Sequence, residues 1–435
     1  MSAIEATTVP GRTRPKDRRQ KIAMAAAEAF SERGYHQVSM GDVAAAVGIS
    51  APALYRHFPN KYALFVDAAE RLAHGLLDAT EGIDAAPGAG GASDPDHPDH
   101  RGHATQATDA SDAARARFDE IVAAVTAVTI ENRRTGGLYR WEGRYLEPDD
   151  RSRIRDDFVE LTARVARALE PMRRAEGRPV AHDDGMLLAA GVLSVVASIT
   201  AHHTSLPRRP LAELLLTASH DVAETVLPAR VDAPAADPAG LPSTSKRELI
   251  VREALVLFHR RGYHDTGIED LSAAVGLTTS GFYRHFASKS DLLLEACLRA
   301  SERLVATTAD ALGRSDSPAI GLDRLVDAYV AHSFTNHDLM SVYFSDAGAL
   351  PLAEQERLRT LQRNHVDEWT ALLRAVRPEL SAAEARFRVH AGLNVVVDIG
   401  RLLHFAPSES NRAVVSALVR SALGVGPTYG PTPSA

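Results

Sequence analysis

The sequence predicts an all-α protein that contains one two-part unit twice, and three observations support this fold class. Residues 18–65 and 246–293 align without a gap, and 19 of the 48 aligned positions are identical. Apolar residues recur at helical spacing, and no window shows the sustained alternation that a sheet requires. A weaker match follows in each copy, where Ala190-Gly191 pairs with Ala391-Gly392. A repeat of this length indicates two whole domains rather than a solenoid, whose period is about 20–50 residues.

The composition is that of a soluble globular protein. The chain has 435 residues, of which 45% are hydrophobic and 24% are charged. Its single cysteine, Cys297, excludes an intramolecular disulfide and fits a reducing compartment. No uninterrupted apolar stretch reaches the roughly 18 residues of a membrane span, so we expect a cytoplasmic protein. The net charge of −7 means that any binding of a polyanion depends on a local basic face.

The first aligned segment predicts three helices. A helical pattern ends at Gly34, where a left-handed residue would terminate the first helix. Ser39 is the expected N-cap of a second helix over about 40–47. Gly48 makes the next turn, and Ser50-Ala51-Pro52 opens the third helix, because proline loses no hydrogen bond in a first turn.

The second copy repeats this pattern from Gly262 to Gly276, but Thr266-Gly267 stands at the cap of its second helix, so that cap could shift by one residue. Longer amphipathic helices are predicted after each copy. They cover 113–132, 151–174 and 185–200 in the first copy and 321–335, 352–376 and 385–405 in the second.

The spacing between matching segments indicates an insertion in the first copy. The offset is 228 in the first segment and 201 in the second, and 228 − 201 = 27 extra residues. The segment 82–112 is the expected place, because its Gly, Pro, Asp and His residues offer little apolar surface to offset the entropy of ordering. The predicted division is a basic arm (1–17), a helix-turn-helix domain (18–65), a larger helical domain (66–228), a linker (229–244), a second helix-turn-helix domain (245–293), a second helical domain (294–425) and a tail (426–435).

The motif Phe…Gly-Tyr…Asp…Ala…Val-Gly, a turn, and then Tyr-Arg-His-Phe-x-x-Lys occurs at 30–61 and again at 258–289. It resembles the N-terminal domain of TetR-type (TetR/AcrR) transcriptional regulators. The resemblance covers the aligned segments in both copies and, beyond them, rests on length and helix count. It implies DNA binding by each helix-turn-helix domain and an effector pocket in each larger domain. It also implies a contact between two units, which the paired copies would make within one chain, with or without further homodimerisation.

The third helix of each copy would enter the major groove while its neighbours contact phosphates. Tyr55 and Tyr283 resemble the family tyrosine that contacts phosphate, and Lys61 and Lys289 resemble the family lysine that meets the DNA backbone. Core packing is the alternative for the tyrosines, and a solvated helix start is the alternative for the lysines. The expected DNA-binding residues are Ser50, Ala51, Ala53, Tyr55, Arg56, His57, Lys61, Thr278, Thr279, Ser280, Tyr283, Arg284, His285 and Lys289.

Differences between the two copies predict an asymmetric or imperfectly palindromic operator. Ser50, Ala51 and Ala53 stand opposite Thr278, Thr279 and Gly281. The two half-sites are expected to be unlike and about 34–36 Å apart. A rival interpretation leaves the second copy idle, because it has Gly281 in its reading helix and no basic arm. That arm precedes only the first copy and carries Arg12, Arg14, Lys16, Arg18, Arg19 and Lys21.

Aromatic residues cluster in the larger domains and predict apolar pockets for a hydrophobic or lipid-like effector. Ordinary core packing is the alternative for each of these residues. Asp398 is expected to pair with Arg401, one helical turn away. The expected pocket residues are Tyr139, Trp141, Tyr145, Phe158, Met186, Leu193, Tyr343, Phe344, Trp369, Leu393 and Val397.

These features predict a ligand-responsive transcriptional repressor that binds double-stranded operator DNA and needs no cofactor. A metal-responsive regulator using His97, His100 and His103, or the pair His202-His203, is a weaker alternative, since proline and glycine surround the first set. An enzyme is disfavoured, because the sequence has no Gly-rich phosphate loop and no nucleophile elbow.

Overall fold

The computed structural model describes residues 15–83, 102–230 and 244–426, with side chains from residue 18 in the first range and from residue 110 in the second. Over these ranges the secondary structure consists of eighteen α-helices and three short 3-10 helices, without a strand. The all-α prediction is therefore confirmed.

The first copy supplies nine α-helices. They are α1 (Pro15–Arg33), α2 (Met40–Ala46), α3 (Ala51–Tyr55), α4 (Lys61–Ala79), α5 (Gly102–Glu131), α6 (Leu138–Glu142), α7 (Pro148–Ala175), α8 (His182–Ala197) and α9 (Arg208–Ala223).

The second copy supplies nine more in the same order. They are α10 (Lys246–Arg261), α11 (Ile268–Ala274), α12 (Thr279–Tyr283), α13 (Lys289–Gly313), α14 (Pro318–Thr335), α15 (His337–Asp346), α16 (Leu352–Val376), α17 (Ala382–Leu402) and α18 (Glu409–Leu423).

The turns of the helix-turn-helix domains follow the sequence closely. Gly34 and Gly262 have φ values of 81° and 88°, so each ends its helix in a backbone conformation that favours glycine. Ser39 caps α2 as predicted: its hydroxyl accepts a hydrogen bond from the backbone N–H of Asp42. In the second copy the cap does not shift, because Gly267 occupies the equivalent position and its N–H donates to Asp270 at 2.9 Å.

Part of the predicted insertion is helical. Residues 84–101 lie outside the described residues, but α5 begins at Gly102 and includes the remainder of the 82–112 segment. The expectation of an unstructured segment is therefore wrong from residue 102 onward. The sequence there contains several alanines, the residue with the highest helix propensity, and they extend the amphipathic helix by about three turns.

The larger domains of the two copies share one hydrophobic core. Helices α8 and α9 of the first copy pack against α17 and α18 of the second. Small residues permit a close approach: a Cβ on Gly191 would lie 2.9 Å from Val222 and 3.6 Å from Leu418 of the other copy. Hydrogen bonds at the edge also join the copies, as between Thr225 and Ser421 at 2.7 Å.

A polar cluster lies between the same helices. Asp398 accepts hydrogen bonds from Arg140 at 2.8 Å and from Ser194 at 2.8 Å, both in the first copy. Asn394, one turn before Asp398, donates to the Ser194 carbonyl. The predicted Asp398–Arg401 pairing is therefore wrong in its partner: Arg401 donates instead to the carbonyl of Arg140 at 3.2 Å. The sequence could not show this, because the partner comes from the other copy.

One segment of the described chain, His182–Ala201, is long and apolar enough to cross a membrane by length and composition, with a mean hydropathy of 1.7. Most of it is buried in the core shared by the copies, where Leu188, Val192 and Val195 are almost inaccessible to solvent. Burial between helices accounts for its apolar composition.

The close packing at Gly191 makes this position sensitive to added volume. We expect Gly191→Val to lower the free energy of unfolding by about 1–3 kcal/mol, because the new side chain would force Val222 and Leu418 apart. Thermal and urea unfolding of the full chain measure this loss. Gly313→Val is the matched control, since a Cβ there meets no atom within 4 Å. An equal loss in both variants would contradict close packing between the copies.

Candidate DNA-binding and ligand-binding sites

The third helix of each helix-turn-helix domain presents the same two side chains to solvent. Leu54 in α3 and Phe282 in α12 are fully buried and hold the helices on their domains. Tyr55 and Tyr283, the next residues, are each 51% exposed, and they are the aromatic residues among the exposed large hydrophobic side chains of the described chain. The arginines that follow, Arg56 and Arg284, are also exposed. Neither tyrosine is a core residue, so the packing alternative does not apply to them.

The beginnings of the two helices differ. Thr278 caps α12, its hydroxyl accepting from the Gly281 N–H at 3.1 Å and lying 3.0 Å from the Ser280 hydroxyl. Ser50, at the equivalent position, makes no side-chain cap. Gly281 is buried, and a Cβ there would lie 3.3 Å from the Thr278 hydroxyl. A larger residue at this position would therefore be tight against the turn that begins α12.

The two lysines lie against their own domain. The Lys289 ammonium donates to the carbonyls of Tyr263 and Thr266, at 2.8 Å each. Lys61 makes a longer hydrogen bond, 3.4 Å, to the His36 carbonyl, and both ammonium groups lie 4.3 Å from the centre of a tyrosine ring. Neither lysine is therefore a freely solvated residue at the start of a helix, which was the alternative to contact with DNA. In this structure they fix the loop after the first helix, a role that the motif did not reveal.

His57 and His285 are half-buried, and their carbonyls accept hydrogen bonds from Arg19 and Arg247. The same arginines pair with Asp67 and Glu295 on the following helix. Arg19, predicted as part of the basic arm, is therefore a structural residue. Of the other residues of that arm, Arg18 and Lys21 are exposed on α1, the side chain of Lys16 is outside the described side chains, and Arg12 and Arg14 lie outside the described residues.

The two helix-turn-helix domains touch each other at equivalent residues. The rings of His36 and His264 lie 4.9 Å apart between centroids, and Nε2 of His36 lies 4.0 Å from a carboxylate oxygen of Asp265. Residues 36 and 264 occupy the same position in the repeat, so the approximate twofold axis relating the copies passes near them. Burial lowers the pKa of both histidines, which favours the neutral form at this contact.

A buried carboxylate joins each helix-turn-helix domain to its larger domain. Glu142, the last residue of α6, accepts from the backbone N–H of Tyr35 at 2.9 Å. Asp346, the last residue of α15, likewise accepts from the N–H of Tyr263. Asp346 also pairs with Arg144 of the first copy. Burial raises the pKa of Asp346, and Arg144 opposes that shift. The sequence analysis missed these carboxylates. Glu142 lies 107 residues after Tyr35, whereas Asp346 lies 83 residues after Tyr263, so the alignment of the two copies gave no signal.

The second copy contains a cavity of about 250 Å³. It lies between α13 and α17, with Trp141 of the first copy at one wall. Five of the predicted pocket residues line it: Trp141, Tyr343, Phe344, Leu393 and Val397. A second cavity of about 250 Å³ adjoins it, and Met340, Phe344 and Val397 separate the two.

The other predicted pocket residues pack elsewhere. Trp369 is fully buried and meets Tyr329 edge-on at 5.6 Å. Tyr139 and Phe158 stack on each other at 5.3 Å, and Tyr145 packs against Tyr35 and His36 at the contact between the helix-turn-helix domains. Met186 and Leu193 pack against the shared core. For these six residues the alternative of ordinary packing describes the structure better.

Polar groups on the cavity wall were not predicted. Gln362, His365, His390 and Asn394 line it together with the aromatic side chains. Burial lowers the pKa of His365 and of His390 to about 4, so both are neutral near pH 7. Because they are isolated among helical core residues in the sequence, no motif marked them. The cavity therefore offers an apolar surface with a few uncharged hydrogen-bonding groups.

The histidines considered for metal binding do not form a described site. His97 and His100 lie outside the described residues, and the side chain of His103 lies outside the described side chains. His202 stacks on His390 at 4.0 Å, and burial lowers its pKa to about 2. His202 also meets the ring of Phe387 edge-on at 4.7 Å, and His203, the other residue of the predicted pair, is exposed.

The structure defines a chain with two helix-turn-helix domains attached to one shared helical body. Both domains match the family described as bacterial regulatory proteins, tetR family, over residues 22–68 and 250–296. Two segments of the chain therefore match the DNA-binding domain of this family, one in each copy.

Curated relatives match over shorter stretches. The HTH-type transcriptional activator FasR of Mycolicibacterium smegmatis is 38% identical over 68 residues, which is 15% of this chain and 31% of FasR. The HTH-type transcriptional regulator TcmR of Streptomyces glaucescens is 44% identical over 48 residues, 11% of this chain and 21% of TcmR. The chain thus spans less than a third of the length of either relative. Among solved structures, the TetR-family regulator PfmR of Thermus thermophilus is 26% identical, with 40% of this chain and 97% of PfmR covered and a TM-score of 0.37.

The buried Arg144–Asp346 pair predicts a pH-dependent defect when it is broken. We expect Arg144→Met to cost about 3–5 kcal/mol of stability near pH 7, because Asp346 is left as an unpaired buried charge. The pKa of Asp346 then rises further, so the loss should shrink as the pH falls and the carboxyl is protonated. Thermal unfolding between pH 5 and 8 measures this, and Arg144→Met/Asp346→Asn should recover much of the loss. A double variant as unstable as the single one would contradict the pairing.

Proposed function

We propose that this protein is a ligand-responsive transcriptional repressor in which one chain reads both halves of an operator. The observation that carries this proposal is the pair of exposed side chains that ends each reading helix, Tyr55-Arg56 and Tyr283-Arg284. Exposed aromatic and guanidinium groups at the end of such a helix suit contacts with phosphates and base edges. Their presence in both copies favours two active helix-turn-helix domains, which we call reading heads, over one.

The contact between His36 and His264 supports a fixed spacing of the two heads. The shared core of the larger domains supplies the contact that a pair of subunits would otherwise make. Because Ser50 is uncapped while Thr278 is engaged within its own turn, the two heads present different groups to DNA. Two unlike half-sites follow from this difference. The expected position of each half-site is one helical turn, about 34–36 Å, from the other.

Footprinting on the DNA upstream of its own gene, with the mass of the complex measured in parallel, tests this proposal. One chain that protects two unlike half-sites is the expected result. Two chains on a long symmetric site would contradict the one-chain reader, and equal half-sites would contradict the asymmetry. Where that DNA is not protected, selection from a random duplex library finds the operator, and failure to select any sequence would overturn the function.

Arginine substitutions separate two active heads from one. We expect Arg56→Ala and Arg284→Ala each to weaken binding to the selected operator by about 1–3 kcal/mol, since each removes a contact to DNA. Arg209→Ala is the matched control, because that side chain is 90% exposed on α9 in the larger domain. Titration by fluorescence anisotropy measures the affinities. An unchanged affinity for Arg284→Ala beside a loss for Arg56→Ala would mean that the second copy is idle.

The effector that we propose is a small hydrophobic or lipid-like molecule with an uncharged polar group. The cavity of the second copy supports this class through Trp141, Tyr343 and Leu393 on its apolar wall and through neutral His365 and His390. Each cavity alone is near the lower limit for a small-molecule site. Met340, a flexible side chain, lies between the two cavities, and its movement would join them for a longer ligand.

Helix α15 connects this cavity to the DNA-binding domain. Its Met340, Tyr343 and Phe344 face the cavity, and its Val342 packs in the core of the second helix-turn-helix domain. At the end of α15, Asp346 accepts hydrogen bonds from the backbone N–H of Tyr263 and from the guanidinium of Arg144, a residue of the first copy. A ligand that favours another position of α15 would change the relation of the two heads and so release DNA, since only differential affinity shifts such an equilibrium.

Filling the cavity tests the ligand proposal. We expect Val397→Phe to weaken the release of DNA by a series of medium- and long-chain fatty acyl compounds at least about tenfold, because Val397 lines both cavities. The readouts are operator release and quenching of Trp141 fluorescence in a Trp369→Phe background. Val159→Phe, at a position 54% exposed on α7, is the control. Release that is equal in both variants would contradict binding in this cavity.

A further inference from the structure

We propose that the second copy contains a binding site for one divalent cation of the zinc class, formed by His259, His337 and Asp338. His259 lies in the last turn of α10, in the DNA-binding domain, and the other two residues begin α15 in the larger domain. The potential ligand atoms of all three lie within 4.8 Å of one another. The site therefore bridges two domains and is separate from the histidines that the sequence analysis considered.

The distances fit coordination better than hydrogen bonding. Nε2 of His337 and Nε2 of His259 lie 3.3 Å and 3.7 Å from the same oxygen, Oδ1 of Asp338. Both exceed the usual N–H···O distance of about 2.7–3.2 Å. Donor atoms about 2.0–2.2 Å from a tetrahedral zinc ion stand about 3.3–3.6 Å apart, which is close to these values. Two nitrogens that converge on one carboxylate oxygen thus leave the space that an ion requires.

The state of the side chains also suits a metal. The Nδ1 atoms of His259 and His337 lack a hydrogen-bond partner, so no hydrogen bond at Nδ1 holds the proton on Nε2, the nitrogen that faces Asp338. The combination of two imidazoles and a carboxylate is typical of catalytic and regulatory zinc sites with an open fourth position. Arg401 also lines this cavity, and its guanidinium donates to the carbonyl of Arg140.

Space for a fourth ligand is present. Both histidines line the second cavity of about 250 Å³, which adjoins the ligand cavity through Met340 and Phe344. A water molecule or a donor group of a bound molecule could complete the coordination there. The bound ion would be partly accessible and not enclosed, since all three ligand residues are only half-buried.

The first copy has a different junction at the same place. Asp346 and Glu142 hold the equivalent tyrosines of the two copies, and they are 346 − 142 = 204 residues apart. By this offset His337-Asp338 corresponds to Arg133-Arg134, and by the offset of 228 for the first helix His259 corresponds to Ser31. There Arg134 pairs with Glu28 at 3.6 Å and Glu32 at 2.5 Å, so an ordinary ion pair joins α1 to the larger domain. In the second copy an ion would make the equivalent link between α10 and α15. Its effect on operator binding rests on the proposed function, whereas metal binding itself does not.

Metal titration of the full chain, purified without a polyhistidine tag, tests the site. We expect one Zn²⁺ per chain by calorimetry and the visible absorption of four-coordinate Co²⁺. We expect His259→Ser and His337→Ala each to weaken Zn²⁺ binding by about 100-fold, because loss of a ligand should cost at least as much as loss of a residue that only orients one. His259→Ser introduces the residue found at this position in the first copy. Asp338→Asn keeps the shape of the side chain and should also weaken it.

The control is His74→Ser. His74 lies 3.5 Å from Asp157 in the first copy, so it forms a similar histidine–carboxylate pair without a second imidazole. Its substitution should leave Zn²⁺ affinity unchanged, and thermal unfolding without metal checks that each variant folds. Zinc affinity that survives His259→Ser and Asp338→Asn, or that is lost only when His97, His100 and His103 are replaced, would overturn the proposal. Because these readouts need no DNA, they stand even where the proposed operator binding fails.

Discussion

The packing of α8 and α9 against α17 and α18 is the constraint on which the rest of the structure depends. This packing places both copies in one hydrophobic core, with Gly191 allowing Val222 and Leu418 to meet. Once the larger domains are fixed in this way, α6 and α15 are fixed with them. The carboxylates that end these two helices then hold the loops of Tyr35 and Tyr263, so the positions of the reading heads follow from a contact made far from DNA.

Because the two copies are covalently linked in one chain, their sequences need not be identical. In a symmetric pair of subunits every substitution appears on both sides of the axis, whereas here each copy can change alone. Arg144 illustrates this: it lies beside Asp346, while the residue at its own position in the second copy is Gly348. One arginine near the axis can pair with one carboxylate, but two arginines there would repel each other. The same freedom permits Thr278 and Ser50 to make different turns at equivalent positions.

The sequence predicted those features that depend on local chemistry. Gly34, Ser39 and Gly48 act within a few residues of their position, so the helix-turn-helix domains and their caps could be derived from the repeat alone. The exposed Tyr55 and Tyr283 follow from the same register. Contacts between copies could not be predicted, because no periodicity shows that Asp398 meets Arg140 or that Trp369 belongs to the core while Trp141 lines a cavity. The clustering of aromatic residues identified the part of the larger domains that contains the cavity. It did not show which of these residues line the cavity and which pack in the core.

The asymmetry between the copies also suggests a division of work within one chain. The cavities described above lie in the second copy, and α15 connects them to the core of its helix-turn-helix domain. Both junctions have a buried carboxylate, but the first copy adds the ion pairs of Arg134 with Glu28 and Glu32. An equilibrium between two arrangements needs only one of the heads to move relative to the other. In the proposed mechanism, a fixed first copy would serve as a reference, because a displacement of α15 would then change the spacing of the two helix-turn-helix domains directly.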